Sequence, residues 1–410
     1  MLSDARDELQ NQNQPDIMSF IRRFAVLLSL LLCLGSCRKD EPVLPSTNTN
    51  TGGGSTGTGG TGQEGPIKGF FLLNEGNMGS NKASLDYYDA ETGVYSKNIY
   101  PERNPGVVKE LGDVGNDIQI YGNKLYAVIN CSHFVEVMDV RTARHIGVVS
   151  IPNCRYLAFK GPYAYVSSYA GPVQIDPNAR LGYVAKVDTA SLTVLETCVV
   201  GYQPEEMVIV GDKLYVANSG GYRVPNYDNT VSVIDLNTFQ EIKKIEVAIN
   251  LHRMELDHYG NIWVSSRGDY YGTRSMTFVI DSKTDKVTDK LELLPNSNMT
   301  LCGDSLYVYS TEWSYITNKN TISYAIVNTK TKKVVTRNFI TDGTDKQIKI
   351  PYGIAVNPDT REIFVTDAKD YITPGTLYCF TPDGKKKWSV TTGDIPAHIV
   401  FTDKPLQPLQ

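Results

Sequence analysis

Short segments of alternating apolar and polar residues recur along the chain from residue 68 onwards, separated by turn residues. In one clear example, Gly211 is followed by a polar residue and then by the apolar-rich segment 213–217. Alternation with a period of two predicts β-strands buried between neighbouring sheets. The repetition predicts a chain built from one β-sheet unit that occurs seven times. Related segments begin at Lys68, Gly122, Gly161, Gly260, Gly303 and Arg361.

Each copy of the repeat carries the pattern of four strands, here named A to D in chain order. A short apolar strand A precedes the glycine, and the segment that the glycine opens is strand B. Strands C and D flank a turn that begins with an acidic residue, as at Asp235. Asp or Asn in the first turn position accepts backbone N–H groups and stabilises the reversal. The equivalent turns begin at Asp89, Asp139, Asp188, Asp281, Asn328 and Thr381.

The two ends of the repeat region complement each other. The first copy has no strand A before it, whereas residues 397–401 form a strand A with no strand B after it. Successive repeat glycines lie 39 to 50 residues apart, the spacing of propeller blades. We therefore predict an all-β fold over residues 67–404, with a tail over 405–410. It is a seven-bladed β-propeller of four-stranded antiparallel blades, whose C-terminal strand completes blade 1 and closes the ring.

The first 66 residues are predicted to lie outside the propeller. Residues 1–17 are polar and precede Met18, so we interpret them as a non-native extension. Residues 18–36 have a basic start and an apolar run too short to span a bilayer, which predicts a signal peptide. The small residues before Cys37 resemble a lipobox, which predicts lipidation of that cysteine; the alternative is a plain signal peptide. Residues 37–66, rich in Thr, Gly and Ser, predict a flexible lipidated linker.

Composition narrows the choice of function. Apolar residues make up 41% of the chain and charged residues 21%, which is typical of a globular protein. The formal net charge is −5 and no basic stripe occurs, so we expect no nucleic-acid partner. Among the cysteines beyond the anchor, three are predicted to be buried in strands, whereas Cys131 and Cys154 lie on one face of adjoining blades. Whether those two form a disulfide is left open.

Two stretches carry a resemblance to known proteins. Residues 211–247 resemble the YVTN-type propeller repeat, and the lipobox together with the segment 71–79 resembles YncE-like surface lipoproteins of Bacteroidetes. Arg38 to Glu41 resembles the surface-export signal of such lipoproteins. The resemblance implies a lipid anchor as the only membrane attachment, a location on the outer face of the outer membrane, and a TonB-dependent transporter as partner. Because some of those lipoproteins capture corrinoids, it implies a corrinoid such as vitamin B12 as the ligand.

The two loop faces of the predicted propeller differ strongly. The A–B and C–D turns are short throughout, whereas the B–C loops of the opposite face are long and rich in Tyr, Trp and Arg. Long loops on a rigid scaffold commonly carry function. These loops are predicted to form the ligand-binding face. They span Asn74–Lys82, Asn130–Phe134, Ser168–Gly182, Asn218–Asn229, Arg267–Ser275, Thr311–Asn320 and Asp367–Gly375.

The first residues of several A strands are predicted to reach the central channel on that same face. Together with the loop residues they give the predicted ligand-binding set. The alternatives are that the rings only pack the loops together and that the channel residues only line water. The set is Arg155, Tyr156, Tyr169, Tyr222, Arg223, Tyr227, His252, Arg253, Arg267, Tyr270, Tyr271, Trp313, Tyr315, Tyr352, Tyr371 and His398.

Catalytic motifs are absent from the sequence: it has no nucleophile elbow, zinc-protease motif or phosphate loop. We therefore expect a binding protein without a cofactor or metal, rather than an enzyme. The enzyme alternative is a lyase or hydrolase that uses His252, Glu206 and His398 at the channel mouth. A protein-interaction scaffold is the third alternative. The sequence does not identify the ligand or the oligomeric state.

Overall fold

The strands pair in chain order into separate antiparallel sheets. The computed structural model describes residues 40–43, 65–107, 110–315 and 317–409. These described residues form seven sheets, of which six have four strands in the order of the chain. The sheet of blade 1 has five strands, with the C-terminal strand at one edge and a short additional strand at the other. Blade 1 contains β1 (Glu41–Pro42), β2 (Gly69–Asn74), β3 (Ser84–Asp89), β4 (Val94–Ser96) and β29 (Pro396–Thr402). Blade 2 contains β5 (Gly115–Tyr121), β6 (Lys124–Ile129), β7 (Phe134–Asp139) and β8 (His145–Ser150).

The next blades repeat this arrangement. Blade 3 contains β9 (Cys154–Lys160), β10 (Tyr163–Ser168), β11 (Tyr183–Asp188) and β12 (Thr193–Val199). Blade 4 contains β13 (Pro204–Val210), β14 (Lys213–Asn218), β15 (Thr230–Asp235) and β16 (Gln240–Glu246). Blade 5 contains β17 (Leu251–Leu256), β18 (Asn261–Ser266), β19 (Met276–Asp281) and β20 (Lys286–Leu291).

The last two blades are followed by the closing strand. Blade 6 contains β21 (Asn298–Cys302), β22 (Ser305–Ser314), β23 (Lys319–Asn328) and β24 (Lys333–Thr336). Blade 7 contains β25 (Pro351–Val356), β26 (Ile363–Asp367), β27 (Pro374–Phe380) and β28 (Lys386–Asp394). The described helical segments are the α-helix α1 (Ile99–Arg103) and a 3₁₀ turn (Thr344–Lys346). None of the described helices is long and apolar enough to cross a membrane.

The innermost strands contact one another in a closed ring, in the order β29, β5, β9, β13, β17, β21, β25 and back to β29. Strand β29 pairs antiparallel with β2, from Gly69 opposite Thr402 to Asn74 opposite Pro396. The C-terminal strand therefore completes blade 1. This confirms the predicted seven-bladed β-propeller and its mode of closure.

The core of the propeller lies between the blades. Because side chains alternate across a strand, each blade presents apolar residues to both neighbours. In β14, Val216 packs against blade 3 whereas Tyr215 packs against blade 5. Seven such clusters of described residues lie at the seven junctions between neighbouring blades. This packing makes the ring a rigid scaffold for its loops.

The predicted turns have the expected hydrogen bonds. The Asp235 carboxylate accepts from the backbone N–H groups of Asn237 and Thr238, at 2.8 and 3.1 Å. Asp89 and Asp139 accept in the same way from the residues two and three positions later. The short C–D turns are therefore fixed by local side-chain chemistry.

Part of the predicted linker pairs with the propeller. Strand β1 pairs antiparallel with β4, with Glu41 opposite Tyr95, and the Val43 N–H donates to the Gly93 carbonyl. The Lys97 ammonium lies 2.6 Å from a Glu41 carboxylate oxygen. Residues 40–43 thus form an outer edge of blade 1 rather than free linker. The predicted signal peptide, Cys37 and the residues 44–64 lie outside the described residues.

Candidate functional site

A cavity of about 950 Å³ opens among the long loops, and residues from all seven blades line it. Thirteen of the sixteen residues predicted to bind ligand line this cavity. The structure therefore brings together most of a set that is dispersed over more than 200 positions of the sequence. The thirteen are Arg155, Tyr156, Tyr222, Tyr227, His252, Arg253, Arg267, Tyr270, Tyr271, Trp313, Tyr315, Tyr352 and Tyr371.

β-Bulges at the start of the inner strands shape the bottom of the cavity. We call this bottom the floor and define it by Arg155, Tyr156, His252, Arg253 and Arg267. In β17 the pairing shifts between Leu251 and Met254, so His252 and Arg253 lie opposite one residue of β18. The same shift in β9 places Arg155 and Tyr156 opposite one residue of β10. Bulges redirect side chains and are common beside functional sites. They explain how two consecutive residues of one strand can both line the cavity.

Side-chain hydroxyl groups of the B strands satisfy the backbone at several of these bulges. The Tyr156 N–H donates to the Ser167 hydroxyl at 3.1 Å, and the Arg253 N–H donates to the Ser265 hydroxyl at 2.9 Å. In blade 7 the Gly353 N–H donates to the Thr366 hydroxyl. A buried N–H group needs such a partner when the ladder is interrupted. A Ser or Thr near the end of strand B is therefore a feature of the sequence that indicates a bulge in the neighbouring strand A.

Glu205, which is fully buried, joins two arginines of the floor. Its carboxylate accepts from Arg155 at 3.0 and 3.1 Å and from Arg267 at 3.3 Å. The Tyr169 hydroxyl donates to the same carboxylate at 2.6 Å. Burial alone would raise the pKa of Glu205, but Arg155 and Arg267 outweigh it and hold that pKa below its ordinary value. Glu205 is therefore ionised and fixes both guanidinium groups in place.

Tyr156 connects the two bulge residues of β17. Its hydroxyl lies 3.0 Å from Nε2 of His252, and its ring lies 5.2 Å from the guanidinium of Arg253. Burial, together with the charges of Arg267 and Arg253, lowers the pKa of His252 well below its ordinary value. His252 is consequently a neutral imidazole at neutral pH.

Two further acids lie near Arg253. Glu206 is 3.6 Å from the Arg253 guanidinium and accepts from the Met254 N–H at 2.7 Å. Asp117 accepts from the Leu157 N–H and from the Gln119 side chain. Burial raises the pKa of Glu206, and it raises that of Asp117 to about 7. The acids on this side of the floor therefore bind protons more readily than exposed carboxylates do.

Three residues of the predicted set do not line the cavity. The Tyr169 ring is buried beneath Arg155, with the Arg155 guanidinium 4.8 Å from the ring centroid. Arg223 lies over the Tyr202 ring at 3.5 Å and donates to the Asn226 carbonyl at 2.8 Å. His398 is partly buried beside Glu75, whose carboxylate lies 3.4 Å from its Nε2 atom. These three contact other protein groups instead.

The aromatic residues at the mouth form what we call the rim, defined by Tyr270, Tyr271, Trp313, Tyr315 and Tyr371. The rings of Tyr271 and Tyr315 are stacked, with centroids 4.8 Å apart and planes 14° apart. Trp313 meets Tyr315 edge to face at 6.3 Å. All five rim side chains are exposed by more than a third of their surface. They offer flat apolar area to a ligand.

Several residues of the cavity were not predicted. Glu75 accepts from the Tyr352 hydroxyl at 2.8 Å and joins blades 1 and 7 across the cavity wall. Aliphatic side chains also line the mouth, among them Ile175, which is 73% exposed. Their signal in the sequence is an apolar residue within an otherwise polar B–C loop. The others are Met78, Val173 and Val224.

The structure also changes one predicted loop. Residues 311–320 were expected to form a B–C loop, but β22 and β23 extend to Ser314 and from Lys319 and pair along their full length. This long hairpin carries Trp313 and positions it more rigidly than a loop would. The β-branched residues Thr311, Thr321 and Ile322 favour this extended pairing.

Within the described residues, the cysteines and the acidic residues form neither a disulfide between Cys131 and Cys154 nor a metal site. Cys131 and Cys154 are free thiols, and the Cys154 sulfur lies 3.3 Å from the Phe134 carbonyl oxygen. Among the described residues, no group of three or more His, Cys, Asp or Glu side chains is placed to hold a metal ion. Of the three residues in the enzyme alternative, His252 lines the cavity, whereas Glu206 and His398 are not among its lining residues.

Comparison with solved structures supports the fold. The chain is similar to Kuenenia stuttgartiensis hydrazine synthase, with a TM-score of 0.54 and 18% identity over 66% of this chain and 77% of that one. It is also similar to a quinonprotein alcohol dehydrogenase-like protein from Bacteroides thetaiotaomicron, with a TM-score of 0.53 and 15% identity over 82% and 78% of the two chains. At these identities the likeness concerns the fold alone.

Sequence comparison gives the family. A search of curated proteins gave no match. The model of the family described as "Domain of unknown function (DUF5074)" matches residues 68–401, which is nearly the whole propeller. The chain therefore belongs to the DUF5074 family.

Proposed function

We propose that this protein binds a bulky, partly aromatic organic molecule in the cavity of its loop-rich face. The observation that carries the proposal is a cavity to which all seven blades contribute, with exposed rings at its mouth and arginines at its floor. Its volume lies near the upper end of the range for small-molecule sites, about 300–1,000 Å³. Tyr and Trp provide large contact area at low entropic cost and keep a polar group for hydrogen bonding.

A corrinoid is the ligand we propose to test first. The choice rests on the resemblance of the segment 71–79 and the lipobox to corrinoid-capturing surface lipoproteins. The cavity is compatible with such a ligand, since a flat macrocycle can lie against the stacked Tyr271 and Tyr315 rings. Its amide side chains can accept hydrogen bonds from the arginines of the floor. Capture at the outer membrane surface would then precede delivery to a TonB-dependent transporter.

Titration of the purified protein with cyanocobalamin tests the ligand. We expect one-to-one binding by calorimetry and a raised melting temperature, because a ligand at 100 times its dissociation constant adds about 2.7 kcal/mol to the stability of the native state. A Trp313→Ala variant should bind more weakly with an unchanged melting temperature in the absence of ligand. Absence of heat and of a melting shift would reject the corrinoid, and haem, glycans and peptides would then be screened in the same assay.

Delivery has its own test. If the protein hands its ligand to a transporter, a TonB-dependent receptor should co-purify with it from outer membranes of the native cell. The exposed loop face is the expected contact, so the Trp313→Ala variant serves as a probe of that surface. Binding of cyanocobalamin without any co-purified receptor would support capture and contradict delivery.

A further inference from the structure

Two polar atoms in the floor lack partners although their residues are almost completely buried. His252 and Arg253 each expose only 8% of their surface, and both line the cavity. Within the described residues, neither Nδ1 of His252 nor Nε of Arg253 has a hydrogen-bond partner. A buried donor or acceptor left unpaired is costly, so such groups are rare in native proteins. Because both belong to consecutive residues that line the cavity, a ligand group is the candidate for the missing partner.

The hydrogen bond with Tyr156 identifies His252 Nδ1 as a donor. If the Tyr156 hydroxyl donates to Nε2, the neutral ring carries its proton on Nδ1, and Nδ1–H is the one group left unpaired. If Nε2 donated instead, both the hydroxyl proton of Tyr156 and the Nδ1 lone pair would lack partners in the described structure. The first arrangement leaves fewer buried groups unsatisfied. His252 thus presents an N–H group.

Arg253 can only donate. Its guanidinium carries five N–H groups and no acceptor. The guanidinium lies beside the Tyr156 ring and 3.6 Å from Glu206, which leaves the Nε–H unpaired. Both unpaired atoms are therefore donors, and they belong to consecutive residues of the β17 bulge. A group that satisfies both must supply acceptor oxygens.

We propose that His252 and Arg253 form a subsite for an oxygen acceptor group of the ligand: a carboxylate, a phosphate or an amide carbonyl. This rests on the proposed function and assigns the orientation of the ligand. Its oxygen-bearing end lies against the floor, whereas its flat apolar part lies between the rings of the rim. Arg155 and Arg267 are held in place by Glu205 and add positive potential beside this subsite.

Nuclear magnetic resonance of protein labelled with ¹⁵N-histidine tests the subsite without knowledge of the natural ligand. Sodium acetate, sodium phosphate and acetamide are the probes, and they distinguish the three acceptor groups. We expect at least one of them to cause a saturable shift of the His252 Nδ1 resonance. The signals of His133, His145 and His258, which are not among the cavity-lining residues, should not follow the same saturation curve.

Matched arginine variants complete the test. Arg253→Lys keeps the charge but removes Nε–H, so the dissociation constant of the effective probe should rise at least fivefold. Arg144→Lys, on an exposed arginine in a C–D turn of the opposite face, should leave it unchanged. If Arg253→Lys does not fold, Tyr156→Phe replaces it: loss of the hydroxyl frees the His252 tautomer and should move its ¹⁵N shifts towards a tautomeric mixture.

The outcomes separate the subsite from the proposed function. Binding of cyanocobalamin with no His252 shift from any probe would overturn the subsite and leave capture standing. A saturable His252 shift that Arg253→Lys weakens, without binding of cyanocobalamin, would support the subsite and reject the corrinoid. Equal weakening by Arg253→Lys and Arg144→Lys would overturn the subsite, because both variants keep the charge and the effect would then not come from the Nε–H group of Arg253.

Discussion

The tyrosines next to the floor of the cavity and those of the rim are held differently. In the floor region Tyr169 is 2% exposed and its hydroxyl donates to Glu205, whereas Tyr271 in the rim is 65% exposed and contacts Tyr315 only by stacking. Internal hydrogen bonds fix the geometry of the floor before any ligand arrives, which lowers the entropic cost of binding. In the described part of the chain, the rim side chains contact one another mainly through their rings, and they offer exposed apolar area to a ligand. We infer that the floor determines the orientation of the ligand and contributes to the stability of the fold, whereas the rim determines the affinity for the ligand.

Loss of the Glu205 carboxylate should have the largest effect on stability. Glu205→Ala leaves the partly buried Arg155 and Arg267 without their counter-ion. Breaking a fully buried pair costs about 3–5 kcal/mol, so we expect a loss near the lower end, about 3 kcal/mol. Urea unfolding followed by circular dichroism measures the change. Glu196→Ala, which removes the half-exposed pair with Lys186, is the control and should cost less than about 1 kcal/mol. Equal losses in the two variants would contradict the central role of Glu205.

A substitution in the rim should act on affinity instead. Tyr271→Ala removes the ring stacked on Tyr315 and should raise the dissociation constant for cyanocobalamin about tenfold, which is about 1.4 kcal/mol. The free energy of unfolding should change by less than about 0.5 kcal/mol, because the ring is exposed. The control is Tyr259→Ala, an exposed tyrosine in a short A–B turn on the opposite face. It should bind cyanocobalamin as the unmodified protein does, and weakened binding would show that the rim is not the site.

Asp117, a buried acid close to the floor, should make the stability of the protein depend on pH. Burial raises the pKa of Asp117 in the folded protein to about 7, above its value in the unfolded chain, so ionisation destabilises the native state. This contribution is present in full below about pH 4 and is lost as the pH rises towards 7. Asp117→Asn keeps an oxygen that can accept from Leu157 and Gln119. Its stability relative to the unmodified protein should therefore rise between pH 4 and pH 7, by up to about 1.4 kcal/mol per pH unit.

The pH experiment needs a control at an aspartate that lacks the charged neighbours of Asp117. Glu206 and Arg253 are the charged groups that act on Asp117, the first raising and the second lowering its pKa. Asp212→Asn, at an exposed position in an A–B turn, removes the same charge. Because the Lys160 side chain holds the pKa of Asp212 below its ordinary value, this variant should leave the shape of the profile unchanged between pH 4 and pH 8. A constant difference between Asp117→Asn and the unmodified protein from pH 4 to pH 8 would contradict the raised pKa.

The fold could be predicted because its signals are local. Alternation with a period of two sets each strand, an acidic residue such as Asp235 sets each C–D turn, and the incomplete copies at the two ends set the ring closure. The extension of β22 to Ser314 was missed because the segment 311–320 contains polar residues that are typical of loops. The pairing of β1 was missed because it depends on the free edge of β4 and not on its own sequence.

The cavity could be predicted only in outline. The position of a tyrosine in a B–C loop indicates the right face, but contacts between blades decide whether its ring reaches the cavity. Tyr169 turns inward because Glu205 of the next blade accepts its hydroxyl. Glu75 was missed because its partner Tyr352 lies 277 positions away. Such pairs are determined by the ring closure, which no local pattern contains.

Substitution of Arg223 should have the smallest effect on ligand affinity, because Arg223 does not line the cavity. It lies in a B–C loop like Arg274, yet its guanidinium covers the Tyr202 ring and donates to the Asn226 carbonyl, away from the cavity. Arg223→Ala should therefore leave the dissociation constant for cyanocobalamin within about twofold and lower stability by about 0.5–1 kcal/mol through loss of the cation–π contact. Calorimetry and urea unfolding measure the two values.

Arg274→Ala, at the cavity mouth, is the matched comparison. It should change the association rate of the ligand more than the stability of the protein, since exposed charges act mainly on encounter. A larger loss of affinity in Arg223→Ala than in Arg274→Ala would place the binding site outside the cavity described here, because the two arginines would then have exchanged the roles that their contacts assign.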